Sequence, residues 1–158
     1  MDNKVNKEYF RGLRHIPLVN VVGTVSGGSV AGVDNVLQEL ERYISIYQKQ
    51  YLIDMFGSEV IPTTAGVSDL LNDNVNCVSP IADYVFCKYM PILKSQQTNQ
   101  TQDGKNAGMY DADFREKYRI VWNEMVGKNI AIQELIYAAG DEETYPSKYY
   151  SELFKYEV

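Results

Sequence analysis

The fold is decided by the stretch NVLQELERYISIYQKQYLIDM, residues 35–55. Apolar side chains recur in it at spacings of three and four, which places them on one face of an α-helix and not on one face of a strand. Asp34 precedes the stretch and suits an N-cap, and Gly57 follows it and suits a helix stop. The pattern predicts an amphipathic helix with both ends marked. Its apolar face consists of Leu37, Leu40, Ile44, Tyr47, Tyr51 and Met55.

A second helix is predicted from residue 80 to residue 93. Ser79 supplies a capping hydroxyl, and Pro80 has no N–H to lose at the first helical position. Pro91 would remove a backbone hydrogen bond and crowd the preceding turn. We therefore expect this helix to kink or end near Tyr89 or Met90.

The third predicted helix is the longest and spans residues 113–136. Apolar residues keep the helical spacing from Phe114 to Ile136, and Gly140 marks the stop. Gly127 lies inside the pattern and should weaken the helix by about 1 kcal/mol relative to alanine.

Length and composition predict a single domain. The chain has 158 residues, of which 45% are hydrophobic and 23% charged, enough for one compact core. We divide it into an extended arm (1–33), a helical core (34–140) and a C-terminal tail (141–158). The predicted fold class is mainly α: a small bundle of three to four helices with an extended N-terminal arm, a long polar loop or hairpin and an aromatic tail.

The glycine-rich and β-branched residues 16–32 favour an extended segment over a helix. Its backbone groups would have to pair, either within the same domain or with a neighbouring subunit. Residues 95–108, SQQTNQTQDGKNAG, predict an exposed polar loop or hairpin tip.

Charge and hydropathy exclude several classes of protein. The formal net charge is −6 and the pI about 4.8, which opposes binding to nucleic-acid phosphates. The sequence has no run of about 20 apolar residues and no secretory signal pattern, so we expect neither a membrane span nor export. Cys77 and Cys87 match no metal or redox motif and are expected to be reduced and buried.

Candidate chemical sites fail for specific reasons. The glycine pattern at 23–29 resembles a phosphate-binding loop, but Ser29 stands where the lysine is required. His15 is the sole histidine, and a catalytic base needs partners. The adjacent acids 141–143 lack the spaced ligands of a calcium loop and are expected to be solvated. We predict no catalytic residue, cofactor or metal, and therefore no enzyme.

Aromatic and charged residues near both ends predict a subunit interface. Tyrosine buries a large ring and keeps a hydroxyl for a hydrogen bond, which favours interfaces. The basic start and the acidic end could also pair between copies. Alternatively, the rings cap the helical core and the charges are solvated. The predicted interface residues are Tyr9, Phe10, Arg11, Arg14, Tyr145, Tyr149, Tyr150, Phe154 and Tyr156.

Three stretches together resemble head–tail connector proteins of tailed bacteriophages, most nearly those of phages with Bacteroides-type hosts. They are QKQYLIDMFG (48–57), PIADYVFCKY (80–89) and, after a polar loop, WNEMV (122–126). The resemblance covers residues 33–140 and consists of hydrophobic patterns. It implies a small helical subunit of an adaptor or tail-barrel ring, a dodecamer, that joins the portal to the tail.

The resemblance also implies partners and a location. The partners would be copies of the chain itself, the portal protein and other ring or tail proteins, with DNA only passing through the channel. The protein would be part of the virion, assembled in the cytoplasm of the bacterial host. The alternative is a small cytosolic helical domain that binds a protein partner through its tyrosine-rich tail and has no enzymatic activity.

Overall fold

In a computed structural model of the chain, the residues that the structure describes form a body of four α-helices. The structure describes residues 4–16, 31–98, 107–141, 144–145 and 151–157. Helix α1 is Ala31–Phe56, α2 is Val67–Leu71, α3 is Pro80–Thr98 and α4 is Ala107–Ala138. Short 3-10 turns lie at Lys7–Tyr9, Gly12–Arg14 and Glu152–Phe154. The predicted mainly helical bundle is confirmed, and these described residues include no strand.

Helix α1 follows the predicted apolar face. Leu40, Ile44, Tyr51 and Met55 are fully buried, and Tyr47 packs against the core with its ring half-buried. Gly57 ends the helix in a left-handed conformation with φ +77°, as predicted. The helix begins at Ala31 and not at residue 35, so the last two residues of the predicted extended stretch are helical.

Helix α3 lies between α1 and α4 and packs extensively on both. All seven residues from Ile81 to Cys87 are buried, as expected of a helix surrounded by protein. The hydroxyl of Ser79 accepts the Ile81 N–H at 3.1 Å, which confirms the predicted cap. Of the two expected outcomes near Tyr89 or Met90, a kink or an end, the end was wrong, because the helix continues through Pro91 to Thr98.

Helix α4 is longer than predicted at its start and ends as predicted. It begins at Ala107, inside the expected polar loop, of which residues 99–106 lie outside the described residues. At its end the N–H of Asp141 bonds to the carbonyl of Ile136 at 3.1 Å, and the Gly140 N–H bonds to Tyr137 at 3.0 Å. With Gly140 at φ +75°, this pair of bonds is a Schellman motif.

The connection between α1 and α3 contains helix α2 and a tight turn, which the sequence patterns did not predict. Val67 and Leu71 of α2 are buried in the core. Asp73 and Val78 then pair their backbones, at 3.0 and 3.1 Å. The carboxylate of Asp73 accepts the N–H of Asn76 at 2.9 Å, and this bond lowers the pKa of Asp73 and holds the turn closed.

Candidate interaction site

The N-terminal segment, residues 4–16, packs on the helical body. Val5, Phe10 and Ile16 are buried to within 1% of full burial. The hydroxyl of Tyr9 reaches the side-chain oxygen of Asn74 at 2.7 Å, which ties the segment to the turn before α3. In this conformation the described part of the predicted arm is attached to its own subunit. Residues 17–30 of that arm lie outside the described residues.

A buried carboxylate joins the N-terminal segment to α3 and α4. Asp83 is fully buried and forms ion pairs with Arg14 and, at 2.8 Å, with Lys128. Arg14 also contacts Glu124 of α4 at 2.9 Å. Burial alone would lower the pKa of the Arg14 guanidinium, but the neighbouring Asp83 outweighs it, so this pKa is raised. The cluster is a structural connection between three parts of the chain.

The C-terminal segment, residues 151–157 and here called the tail segment, lies along α4. It is held by three α4 side chains, Trp122, Asn123 and Asn129, which we call the tail site. The indole N–H of Trp122 donates to the carbonyl of Lys155 at 2.8 Å, and the amide of Asn129 donates to the carbonyl of Leu153 at 2.7 Å. These contacts involve the main chain of the tail segment.

The carboxamide of Asn123 makes two hydrogen bonds with one residue. Its Nδ2 donates to the carbonyl of Glu157 at 3.0 Å, and its Oδ1 accepts the N–H of Glu157 at 2.8 Å. The bonded carbonyls of the tail segment belong to residues 153, 155 and 157. Leu153 belongs to the 3-10 turn, whereas the chain is extended from Lys155 onward. Because alternate residues of an extended chain face the same side, residues 155 and 157 both face α4.

Two apolar side chains anchor the tail segment in the core. Leu153 is 3% exposed and Phe154 8% exposed, whereas the side chains of Lys155, Tyr156 and Glu157 remain exposed. The hydroxyl of Ser151 accepts the N–H of Leu153 at 3.4 Å and caps the 3-10 turn. Recognition of this segment therefore combines an apolar pair with contacts to the backbone.

The tail segment also lies close to aromatic side chains of the body. Tyr118 stacks on Trp122 with ring centroids 5.9 Å apart. Burial raises the pKa of the Tyr118 hydroxyl to about 12, and the negative charges of Glu157 and Glu152 contribute to this. The two glutamates of the tail segment thus act on a residue of α4 through space.

Tyrosines also fill the seam between α1 and α3. Tyr43 stacks on Tyr47 at a centroid distance of 5.6 Å and lies 4.8 Å from Tyr89. Tyr51 packs against Tyr84 at 5.7 Å, and its hydroxyl donates to Asn129 of the tail site. Much of the high tyrosine content is therefore used inside the subunit.

The structure separates the predicted interface residues into three groups. Tyr9, Phe10 and Phe154 are buried, and Arg14 is paired inside the subunit with its side chain 11% exposed. Tyr145 packs edge-on against Phe56. Arg11 and Tyr156 are exposed, and Tyr149 and Tyr150 lie outside the described residues. The buried members would have to leave the core to meet a neighbouring subunit.

Several residues at the site carried no signal in the sequence. Asp83, Asn123, Asn129 and Lys128 are polar residues inside a helical pattern, and their partners are 24 or more residues away. Asp141, which was expected to be solvated, is partly buried, and its carboxylate also accepts a hydrogen bond from Thr64. Glu142 and Glu143, like the glycine pattern at 23–29, lie outside the described residues.

A cleft of about 750 Å³ lies between the N-terminal segment and α1. Its edge includes Lys7, Glu8, Glu41 and Arg42. Because charges of both signs line it, the cleft favours no single charge on a ligand.

The remaining chemical groups are ordinary. Cys77 and Cys87 are free thiols; Cys87 is buried as expected, whereas the expectation of burial was wrong for Cys77, which is only partly buried. Burial raises the pKa of the Cys87 thiol. Across the part of the chain that the structure describes, no group of three or more His, Cys, Asp or Glu residues could hold a metal ion. Among the described helices, none combines enough length with enough apolar character to cross a lipid bilayer.

Comparison of the chain with protein-family models, with curated proteins and with solved structures found no match in any of the three.

Proposed function

We propose that the protein is a structural virion protein of a tailed phage, an oligomeric ring adaptor that joins the portal to the tail. One observation carries the proposal. The three stretches that resemble head–tail connectors fall at the end of α1, at the start of α3 and in the middle of α4. These are the three long helices, and α3 packs against the other two. The stretches that carry the resemblance therefore all lie in the packed helical body of the protein.

Polar contacts between distant segments of the chain support a structural role. Asp83 with its two cations, and the tail site with its four hydrogen bonds, connect segments that are distant in sequence. Removing one member of the buried ion pairs of Asp83 costs several kcal/mol, whereas each hydrogen bond of the tail site contributes less. Together these contacts stabilise one arrangement of the helices. A subunit that transmits force between a capsid and a tail needs such a fixed body.

The net charge also suits a ring around a DNA channel. With a formal charge of −6 per chain, the assembled ring would repel the phosphate backbone. Nucleic acid binds proteins largely through Lys and Arg contacts that release counterions. An acidic wall therefore lets DNA pass without retaining it.

Surface residues remain for contacts between copies. Leu13, Ile46, Val60, Val75 and Tyr137 are 41–90% exposed. Closed rings form through head-to-tail contacts, in which two different patches of one subunit meet. These side chains lie on several elements and can contribute to both patches.

Mass photometry with the portal protein encoded by the same genome tests the proposal. We expect the portal ring to gain a whole-number multiple of 18.0 kDa on addition of the chain, twelve for a dodecamer. A portal ring from an unrelated phage is the matched control and should gain no mass. The proposal fails if the cognate portal keeps its mass at micromolar chain while the chain remains a folded monomer.

A further inference from the structure

We infer that the tail site is a peptide-binding site that also takes the tail segment of a second copy of this chain, so that copies join by exchanging residues 151–157. The inference rests on the proposed function, since it names the contact through which ring subunits would be linked. It comes from the geometry of Trp122, Asn123 and Asn129 around the tail segment.

The contacts at the tail site are those of a ligand in a groove. The tail segment is the last described part of the chain, and α4 holds it through the main chain at residues 153, 155 and 157. Two apolar side chains, Leu153 and Phe154, fill the buried end. Main-chain bonds combined with side-chain pockets are also how extended peptides are bound in strand addition.

A second copy brings a segment that fits equally well. The four hydrogen bonds between the tail site and the tail segment, and the two buried apolar side chains, all come from residues 151–157, so the same segment of a neighbour would form the same hydrogen bonds and bury the same side chains. The closed and exchanged forms then differ mainly in chain entropy and concentration, which makes exchange of an identical element a low-cost route to association.

The connection to the body is short. Five residues, PSKYY at 146–150, separate Tyr145 from the tail segment, and one of them is proline. Proline fixes φ and limits the conformations open to such a connection. Short connections favour exchange between copies when they make closure within one chain costly.

A peptide added in trans measures binding to the tail site directly. The probe is a fluorescein-labelled peptide of residues 150–158, YSELFKYEV, and fluorescence anisotropy gives its affinity for the full chain. In the wild-type protein the attached tail competes at an effective concentration of about 1 mM. We expect the Phe154→Ala chain, which weakens its own tail but keeps the tail site, to bind the peptide at least about tenfold more tightly.

Two controls assign the binding to the tail site. Asn123→Ala in the Phe154→Ala chain removes both bonds to residue 157 and should weaken peptide binding about tenfold. Asn76→Ala, in the turn before α3, should leave the affinity unchanged. A peptide that carries Leu153→Ala and Phe154→Ala should not bind. The inference is overturned if the Phe154→Ala chain keeps its helical circular dichroism and binds both peptides equally.

Photo-cross-linking tests exchange of the tail segment even if Phe154→Ala unfolds the chain. Tyr156 is 57% exposed and sits between two residues bonded to α4. A photoreactive benzoylphenylalanine in its place would attach the tail segment to whichever chain holds it. Cross-linked dimers that increase with concentration, and that decrease with Asn123→Ala, support exchange. Cross-links confined to single chains at all concentrations overturn it.

These experiments need no portal. A chain that exchanges its tail segment but does not bind its portal would contradict the proposed function and leave this inference standing. A chain that binds its portal without exchange of the tail segment would contradict only this inference.

Discussion

The buried carboxylate of Asp83 gives the sharpest test of how the body is held together. Asp83 has no exposed surface, and it faces Arg14 and Lys128, whose side chains are 11% and 22% exposed. Asp83→Asn keeps the shape of the side chain but leaves both cations without their shared partner. Breaking a buried ion pair in this way costs about 3–5 kcal/mol.

The lower end of this range applies here. Arg14 keeps its contact with Glu124 at 2.9 Å, and the Lys128 side chain retains some access to water. We therefore expect Asp83→Asn to lower the free energy of unfolding by about 3 kcal/mol. For a chain of this size, that loss corresponds to a fall in Tm of about 6–12 °C.

Urea and thermal unfolding, followed by far-ultraviolet circular dichroism, measure the effect. The matched control is Glu116→Gln. It breaks the exposed ion pair between Glu116 and Arg119, both on α4, and should leave the unfolding curve unchanged within error. If Asp83→Asn lowers stability no more than Glu116→Gln, the cluster does not hold the N-terminal segment, α3 and α4 together.

The structure also gives the direction of the change in stability for three other substitutions. Gly127→Ala should raise the free energy of unfolding by about 0.5–1 kcal/mol, because Gly127 is helical and an added Cβ meets nothing within 4 Å. The expected readout is a higher urea midpoint, and a lower midpoint would contradict the prediction. Gly66→Ala should lower the free energy of unfolding by about 1–2 kcal/mol, since Gly66 has φ +84° and an added Cβ would lie 3.2 Å from the Leu135 side chain. An unchanged urea midpoint would contradict this prediction. The raised pKa of Tyr118, about 12 in the fold against 10.0 ordinarily, contributes stability that is complete below pH 10 and is lost as the pH rises from 10 to 12; Tyr118→Phe should remove part of this alkaline loss in urea titrations at each pH.

The helices were predictable because their signals are local. Apolar spacing, the Ser79 cap and the glycines at 57 and 140 all act within a few residues, and the structure has α1, α3 and α4 where they indicate. Local rules failed at Pro91, which the rest of α3 tolerates. They also missed the start of α4 at residues 107–112, which precede the periodic apolar pattern and belong to a helix whose stability comes from packing farther along.

The candidate site was less predictable because its contacts are distant in sequence. An aromatic residue near a chain end has the same signature whether it packs on its own body or on a neighbour. Phe10 and Phe154 illustrate this, since both are buried within one subunit. In the sequence, Asn123 and Asn129 have the pattern of ordinary polar helix residues. Their role follows only from their hydrogen bonds to the tail segment, which is distant in sequence.

The most direct test of the proposed role is a cryo-electron microscopy map of the neck of the particle encoded by the same genome. We predict a ring between portal and tail in which each subunit shows three long helices, with α3 between α1 and α4. A neck whose rings are fully explained by other proteins, with no density that fits this body, would contradict it.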